Sequence, residues 1–287
     1  MGLLNEKEVV KMRVFDLVEN MEGADRMSDS RNHLKPDVRA YLERIGYEGP
    51  LDGSAAVLAE LQECHLHTVP YENLDILKRI PLSLEIPDLI EKIVVRRRGG
   101  YCFELNALFG WLLRELGYPV TDLMSRFWRD EPNPPPKRRH HVLKVKAGDA
   151  YYLCDVGVGG IVPRRPIQMV EGLEHPQGDE CYRLERDPEY GWMLCELKHG
   201  EWSRLYSFTE EPQLAKDFIM ATYWCENSPE SIFTKSAMAA IRTREGRNTL
   251  AGKEFRIFTP EGVRSFTPES EEEYNEALCT YFNIHLE

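Results

Sequence analysis

The chain has 287 residues, 42% of them hydrophobic, and its 36 basic and 48 acidic side chains leave a net charge of -12. This length can bury the core of one to three subdomains. The acidic balance argues against nucleic acid as a partner. The lack of a long apolar stretch or a signal-peptide region argues against a membrane partner. Seven cysteines, odd in number and without framework spacing, predict reduced thiols in a cytoplasmic protein.

The first part of the chain is predicted to be helical. Apolar residues recur at helical spacing over residues 5–22, and we assign no role to this extension. Further helices are predicted over residues 37–45, 54–67, 87–97 and 102–116. An apolar stripe runs along one face of the last helix and consists of Leu105, Leu108, Phe109, Leu112, Leu113 and Leu116.

The periodicity changes from helix to strand after Pro119. Strands are predicted over residues 120–127, 142–146, 151–155, 181–186, 192–198 and 202–208. Three further elements are predicted: a helix over 214–223, a hairpin over 255–259 and 263–267, and a final helix over 270–282. This succession of helices, strands and mixed segments predicts an α+β fold.

Cys102 lies where a glycine pair meets the striped helix. Its sulfur is predicted to lie at the helix N-terminus, where partial positive charge favours the thiolate. Three arginines at 96–98 would add formal positive charge, and the glycines at 99–100 permit a sharp entry into the helix. The sequence therefore predicts that Cys102 is a nucleophile with a lowered pKa.

A predicted hairpin supplies a base and an acid. If residues 147–149 form a three-residue turn, His141 lies directly opposite Asp155 on the face that carries apolar residues. Opposed side chains have Cβ atoms about 5 Å apart, close enough for a hydrogen bond. Because burying both groups is costly, we predict a triad of Cys102, His141 and Asp155. A two-residue turn would shift the register by one residue and break this pairing.

Two competing motifs are weaker. The segment CHLH at 64–67 has metal-ligand residue types but no second ligand pair at suitable spacing, so helix packing is the better interpretation. The segment DVGVGG at 155–160 is similar to a dinucleotide-binding loop. However, Val162 replaces the required third glycine, and prolines follow it. We therefore predict no metal site and no dinucleotide site.

The motifs, in their order, resemble those of the arylamine N-acetyltransferase family. The resemblance rests on five segments: VPYENL at 69–74, RGGYCFELN at 98–106, HVLKV at 141–145, DVGVG at 155–159 and NSPESIF at 227–233. It implies an α+β fold with a cysteine-protease-like Cys-His-Asp core. The implied domains are an extension of unknown role (1–33), a helical bundle (34–119), a central β-barrel (120–211) and an α/β lid (212–287).

The resemblance also implies the activity, an acetyl-CoA-dependent transfer by a ping-pong mechanism without a metal. Cys102 would accept the acyl group, His141 would act as its base and Asp155 would orient the base. The preceding His140 is taken as non-catalytic. The acceptor would be an arylamine, an arylhydroxylamine or a hydrazine.

Other residues of the resemblance are expected to bind or support. The thioester end of coenzyme A would approach Gly157, Val158 and Gly159, although Val158 departs from the aromatic residue that is frequent there. This departure leaves the preferred acyl group and acceptor open. Glu72 and Arg98 match family positions and are expected to support the site.

Three other functions remain open at this point. An amide synthase would use the same chemistry with a carrier-bound acyl donor. A thiol hydrolase or transglutaminase-like enzyme would use the same triad. The third possibility is a degenerate binding protein, against which the presence of all three triad residues argues.

Overall fold

The computed structural model describes residue 31 and residues 33–286, and its contacts group the chain into two units, 1–40 and 41–287. The helix predicted over 5–22 lies outside the described residues. Helix α1 (Pro36–Arg44) begins in the first unit and ends in the second, and the elements that follow it belong to the second unit. In the described part of the chain, no helix has the length and apolar character needed to cross a membrane.

The four helices predicted between residues 37 and 116 are confirmed, with ends that shift by one or two residues. Helix α2 (Ala55–Thr68) begins after Ser54, whose hydroxyl accepts a hydrogen bond from the Val57 amide. A two-residue strand β1 (Tyr71–Glu72) and a single turn α3 (Leu74–Leu77) follow. The next helix begins as α4 (Ile86–Leu89) and continues as a π-helix over Ile90–Val95. Helix α5 (Cys102–Glu115) buries five of the six residues of the predicted apolar stripe, whereas Leu116 follows the helix and is half-buried.

An antiparallel eight-stranded sheet occupies the middle of the chain. Its strands are β2 (Val120–Phe127), β3 (Arg138–Ala147), β4 (Ala150–Cys154), β5 (Ile167–Gln168), β6 (Glu174–Gln177), β7 (Glu180–Asp187), β8 (Gly191–Lys198) and β9 (Glu201–Phe208). Their order is β5-β4-β3-β2-β9-β8-β7-β6. Glu171, just after β5, bridges Leu184 of β7, so the sheet curls into a nearly closed barrel.

A second sheet joins distant parts of the chain. It has the order β1-β10-β11-β12-β13, with β10 (Met238–Arg242), β11 (Arg247–Ala251), β12 (Glu254–Thr259) and β13 (Gly262–Phe266). Helix α6 (Phe218–Asn227) precedes this sheet, and helix α7 (Glu271–Phe282) packs Leu278 and Phe282 on it. The α+β class is confirmed. The domain boundaries at 33, 119 and 211 stay a prediction.

The turn between β3 and β4 differs from the prediction. Ala147 pairs with Ala150, so the turn contains only Gly148 and Asp149 and is not the three-residue turn 147–149. Gly148 has a φ of 61°, which a two-residue hairpin turn requires and glycine adopts readily. The pairing therefore moves by one residue along the whole hairpin.

Candidate active site

Cys102 is the first residue of α5 and is almost fully buried. Its Sγ lies 3.8 Å from the carbonyl oxygen of Arg139 on β3. Burial raises the pKa of the Cys102 thiol well above its ordinary value, and the nearby Cys225 thiol acts in the same direction. A buried thiol of this kind needs a proton acceptor within the site before it can act as a nucleophile.

The arginines before Cys102 do not act as predicted. Arg98 binds Glu72 at 2.7 Å and Asp75 at 2.9 Å, so its charge is already paired. Arg96 pairs with Glu91 on the surface at 3.6 Å. The predicted lowering of the Cys102 thiol pKa is therefore wrong. Burial raises this pKa by more than the positive charge nearby lowers it.

The carboxylate of Asp155 is paired with His140 and not with His141. His140 Nε2 lies 2.7 Å from Asp155 Oδ2, and both side chains are buried. His141 Nε2 lies 3.0 Å from Asp122 Oδ1 instead. The predicted pairing of His141 with Asp155 is wrong because the two-residue turn shifts the register. Asp155 then falls next to Val142, on the face of the hairpin that His140 shares.

Asn106 holds the acid in place from the helix of the nucleophile. Its Nδ2 donates to Asp155 Oδ1 at 2.8 Å and to the His141 carbonyl at 2.7 Å, while its Oδ1 accepts from the Val156 amide. The Gly157 amide also donates to Asp155 Oδ1, at 2.8 Å. Sequence reasoning missed this role, although Asn106 follows Cys102 by one helical turn and so shares its face.

The loop after Asp155 lies directly against the nucleophile. A Cβ atom built on Gly157 would lie 2.8 Å from Cys102 Cα and 2.5 Å from Asn106 Nδ2, so only glycine fits there. Gly159 has a φ of 65°, and a Cβ on it would lie 2.5 Å from the carbonyl oxygen of Ala240. Val158, between them, is half-buried. Binding of a cofactor by Gly157, Val158 and Gly159 stays a prediction.

A buried network of charges fixes the start of α5. Glu104 accepts a hydrogen bond from the Tyr101 amide at 3.0 Å and pairs with Lys92 at 2.8 Å. Lys92 also binds Asp75 at 2.7 Å, and Asp75 shares Arg98 with Glu72. Burial raises the pKa of Glu104, although Lys92 opposes the rise. The predicted supporting pair of Glu72 and Arg98 thus belongs to a larger network.

An apolar cluster covers the nucleophile. Its buried residues come from four parts of the chain and are Ile76, Tyr101, Cys102, Phe103, Met124, Phe218, Cys225 and Phe233. Phe218 and Cys225 belong to α6. The sulfur is therefore enclosed by the segment that follows the barrel.

The motif at 64–67 has a structural role. His65 is buried, and its Nδ1 lies 2.8 Å from the Tyr41 hydroxyl. Burial lowers the pKa of His65 to about 3, so the ring is neutral. Over residues 33–286 we find no cluster of three His, Cys, Asp or Glu side chains that could hold a metal ion. All seven cysteines lie in this range and all are free thiols.

The chain was compared with known proteins. An N-acetyltransferase family model matches residues 54–287. The arylamine N-acetyltransferase of Mycobacterium tuberculosis (strain ATCC 25618 / H37Rv) is 35% identical over 255 residues, which span 87% of this chain and 90% of that protein. This chain belongs to the arylamine N-acetyltransferase family.

Solved structures of the family have the same fold. The Mycobacterium marinum arylamine N-acetyltransferase in complex with CoA is 34% identical, with a TM-score of 0.80 over 86% of this chain and 92% of that one. The Salmonella typhimurium arylamine N-acetyltransferase is 28% identical, with a TM-score of 0.83 over 88% of this chain and 92% of that one. Membership of the family agrees with the resemblance found in the sequence motifs.

Proposed function

We propose that this protein transfers an acetyl group from acetyl-CoA to an arylamine through an acetyl-Cys102 intermediate. One observation carries the proposal: a buried thiol at a helix N-terminus lies against strand β3, which presents His140, and His140 is paired with Asp155 from the end of β4. The family relatives support it, since they are arylamine N-acetyltransferases and the M. marinum structure contains CoA. The acceptors also include arylhydroxylamines and hydrazines.

His140 replaces His141 as the base in this proposal. His140 takes the thiol proton as Cys102 Sγ attacks the thioester carbonyl, and coenzyme A leaves as its thiol. Asp155 accepts a hydrogen bond from the ring, fixes its tautomer and stabilises the imidazolium. The amine then attacks the acetyl carbonyl, and Cys102 is released as the thiol.

The loop over Cys102 is the proposed contact for the thioester. The close approach of Gly157 to Cys102, where a built Cβ would lie 2.8 Å from Cys102 Cα, supports this placement, and Val158 and Gly159 continue the same loop. We place the thioester end of coenzyme A along this loop. A cytoplasmic location also belongs to the proposal and is supported by seven free thiols, which persist in reducing compartments.

The test is intact-mass measurement after incubation with acetyl-CoA. The wild-type protein should gain one acetyl group and lose it when an arylamine such as aniline is added. Cys102→Ala and His140→Gln should gain none within the same time. Cys279→Ala, which removes a partly exposed thiol on α7, should behave as the wild type.

Three outcomes would contradict the proposal. Retention of the acetyl group by Cys102→Ala would assign the nucleophile elsewhere. Loss of the acetyl group to water as fast as to the amine would favour a thiol hydrolase. An amide synthase would take its acyl group from a carrier thioester and leave acetyl-CoA unused.

A further inference from the structure

We propose that His141 is a positioning residue that clamps helix α6 over Cys102 and so keeps water away from the acyl-enzyme. The inference rests on the proposed function, because it concerns the fate of the acetyl group on Cys102. His141 is 2% exposed and is not paired with Asp155. Its partners connect it to strand β2 and to helix α6.

The first connection is the carboxylate of Asp122 on β2. His141 Nε2 lies 3.0 Å from Asp122 Oδ1, and Arg114 of α5 contacts the other carboxylate oxygen. Burial would raise the pKa of Asp122, but His141 and Arg114 outweigh it and lower this pKa. An ionised Asp122 only accepts hydrogen bonds, so Nε2 of His141 must donate. The orientation of the ring is thereby fixed.

The second connection leads to the segment that covers the sulfur. The carbonyl oxygen of Asp122 accepts a hydrogen bond from the Gln213 amide at 2.9 Å, just before α6. The His141 ring lies 4.2 Å from the ring of Phe218, the first residue of α6. Phe218 also packs on Phe103 of α5, with ring centroids 5.7 Å apart. His141 thus joins the strand of the base to the start of the covering helix.

Phe218 is the only buried residue in the first turn of α6. The later part of α6 is held by Trp224, which packs on the cluster over the sulfur, and by Glu226, which accepts a hydrogen bond from the Leu82 amide at 2.7 Å. The buried residues of α6 are Phe218, Thr222 and Cys225, whereas Ile219, Met220 and Tyr223 are more than half exposed. The contact of Phe218 with His141 therefore carries a large share of the packing at the start of the helix. Displacement of α6 would uncover the acetyl-sulfur bond, and water would then compete with the amine.

The test measures how fast acetyl-Cys102 loses its acetyl group to buffer without an amine. His141→Gln removes the ring but keeps a donor for Asp122, and Phe218→Ala removes the opposite side of the same contact. Each should hydrolyse about tenfold faster than the wild type, the order that loss of 1–2 kcal/mol produces. The double variant should hydrolyse no faster than the faster single variant, because both remove one contact.

The matched control is Ile219→Ala, next to Phe218 but on the exposed side of α6, which should leave hydrolysis unchanged. Acetylation by acetyl-CoA should still occur in His141→Gln. If His141→Gln does not fold, Phe218→Ala decides the question alone. Unchanged hydrolysis in the folded variants, or additive increases in the double variant, would overturn the clamp and leave the proposed function standing. A wild-type protein that never gains an acetyl group would overturn the proposed function itself.

Discussion

Adjacent histidines on β3 face different carboxylates. Side chains alternate along a strand, so His140 and His141 point to opposite faces of the sheet. On one face His140 pairs with Asp155 at 2.7 Å, and on the other face His141 pairs with Asp122 at 3.0 Å. The two pairs have similar chemistry, but removing one carboxylate or the other should have different effects on the acetylation of Cys102.

The first prediction contrasts the two acids. Asp155→Asn should leave the fold largely intact but slow acetylation of Cys102 by roughly a thousandfold or more, because the His140 tautomer is no longer fixed. Asp122→Asn, the matched change at the second pair, should slow acetylation less than tenfold, by the argument that His141 does not transfer the proton. Rapid-quench mass measurements give both rates. Equal losses in the two variants would show that the base is not His140.

The second prediction concerns the ionisation of the thiol. Burial raises the pKa of Cys102, so the thiolate can form near neutral pH only when His140 accepts its proton. In His140→Gln no imidazole is present to accept the proton, so the pKa of the Cys102 thiol should stay raised. Alkylation of Cys102 by iodoacetamide should then require a higher pH than in the wild type. Superimposable pH profiles in the two proteins would mean that His140 does not share a proton with Cys102.

At the scale of elements, the start of α5 depends on charges from elsewhere in the chain. Lys92 lies in the π-helical segment before α5 and binds Asp75 and Glu104. Burial opposes the charge on Lys92, but Glu104, Glu72 and Asp75 together raise its pKa. The network thereby keeps Glu104 in place to cap the helix that carries Cys102.

The third prediction is that Lys92→Met destabilises the protein by about 3–5 kcal/mol at pH 7, since it leaves the buried Glu104 carboxylate without a cation and Asp75 with Arg98 alone. Urea unfolding measures the difference. Arg96→Met, which removes an exposed pair with Glu91, should cost at most about 1 kcal/mol. A Lys92→Met protein as stable as Arg96→Met would show that the network contributes little.

The stability of Lys92→Met should depend on pH, because Lys92 affects the pKa values of the carboxylates that it binds. In the wild type, burial favours a raised pKa for Asp75, but Lys92 and Arg98 outweigh it and lower the pKa. This contribution is present above the pKa of the unfolded chain and is lost as the pH falls through the folded value. Without Lys92 the pKa values of Asp75 and Glu104 should rise. The deficit of the variant should therefore shrink between pH 7 and about pH 5, as the carboxylates take up protons.

Periodicity located the helices and long strands because burial selects one face of each element. Val120–Phe127 was predicted with its observed ends, and α5 with an error of one residue. The register of the β3–β4 hairpin could not be fixed in this way, since turns of two and three residues both leave an apolar face. The Gly-Asp dipeptide at 148–149 was the available signal for the shorter turn.

Strands β10 and β11 were missed for a different reason. Their buried apolar residues are few and small or isolated: Ala239 and Ile241 on one strand and Leu250 on the other. Their neighbours come from residues far away in sequence, including Tyr71 and Glu72 of β1. Alternation is weak when tertiary contacts supply most of the burial. Cys102 and Asp155, the proposed nucleophile and acid, could be predicted from local motifs, whereas the choice of histidine depended on register.

At the scale of the whole molecule, Asn73 ties the helical region to the C-terminal sheet. Its Nδ2 donates to the carbonyl oxygens of Phe233 and Ser236 at 2.8 and 2.9 Å, and its Oδ1 accepts from the Met238 amide at 2.7 Å. Asn73 is 2% exposed, so water cannot replace these partners.

The fourth prediction is that Asn73→Ala lowers the free energy of unfolding by about 2–4 kcal/mol, because three backbone groups, one buried and two partly buried, lose their partner. It should also speed the loss of the acetyl group from Cys102 to water, since Phe233 belongs to the cluster over the sulfur. Asn227→Ala, at an exposed site whose amide bonds only within α6, serves as the control. Urea unfolding measures the change in stability, and mass measurement follows the loss of the acetyl group. If Asn73→Ala changes neither quantity more than Asn227→Ala does, Asn73 does not hold the two regions together.

During translation, Tyr71 and Glu72 are synthesised long before their strand partners Ala240 and Ala239, which follow about 170 residues later. At typical synthesis rates this interval lasts about 10–35 s. During it the segment with Cys102 has been made, but Phe218, Cys225 and Phe233, which enclose the sulfur, have not. The nascent chain therefore carries an uncovered thiol, open to oxidants and electrophiles, until translation of the last third of the message protects it.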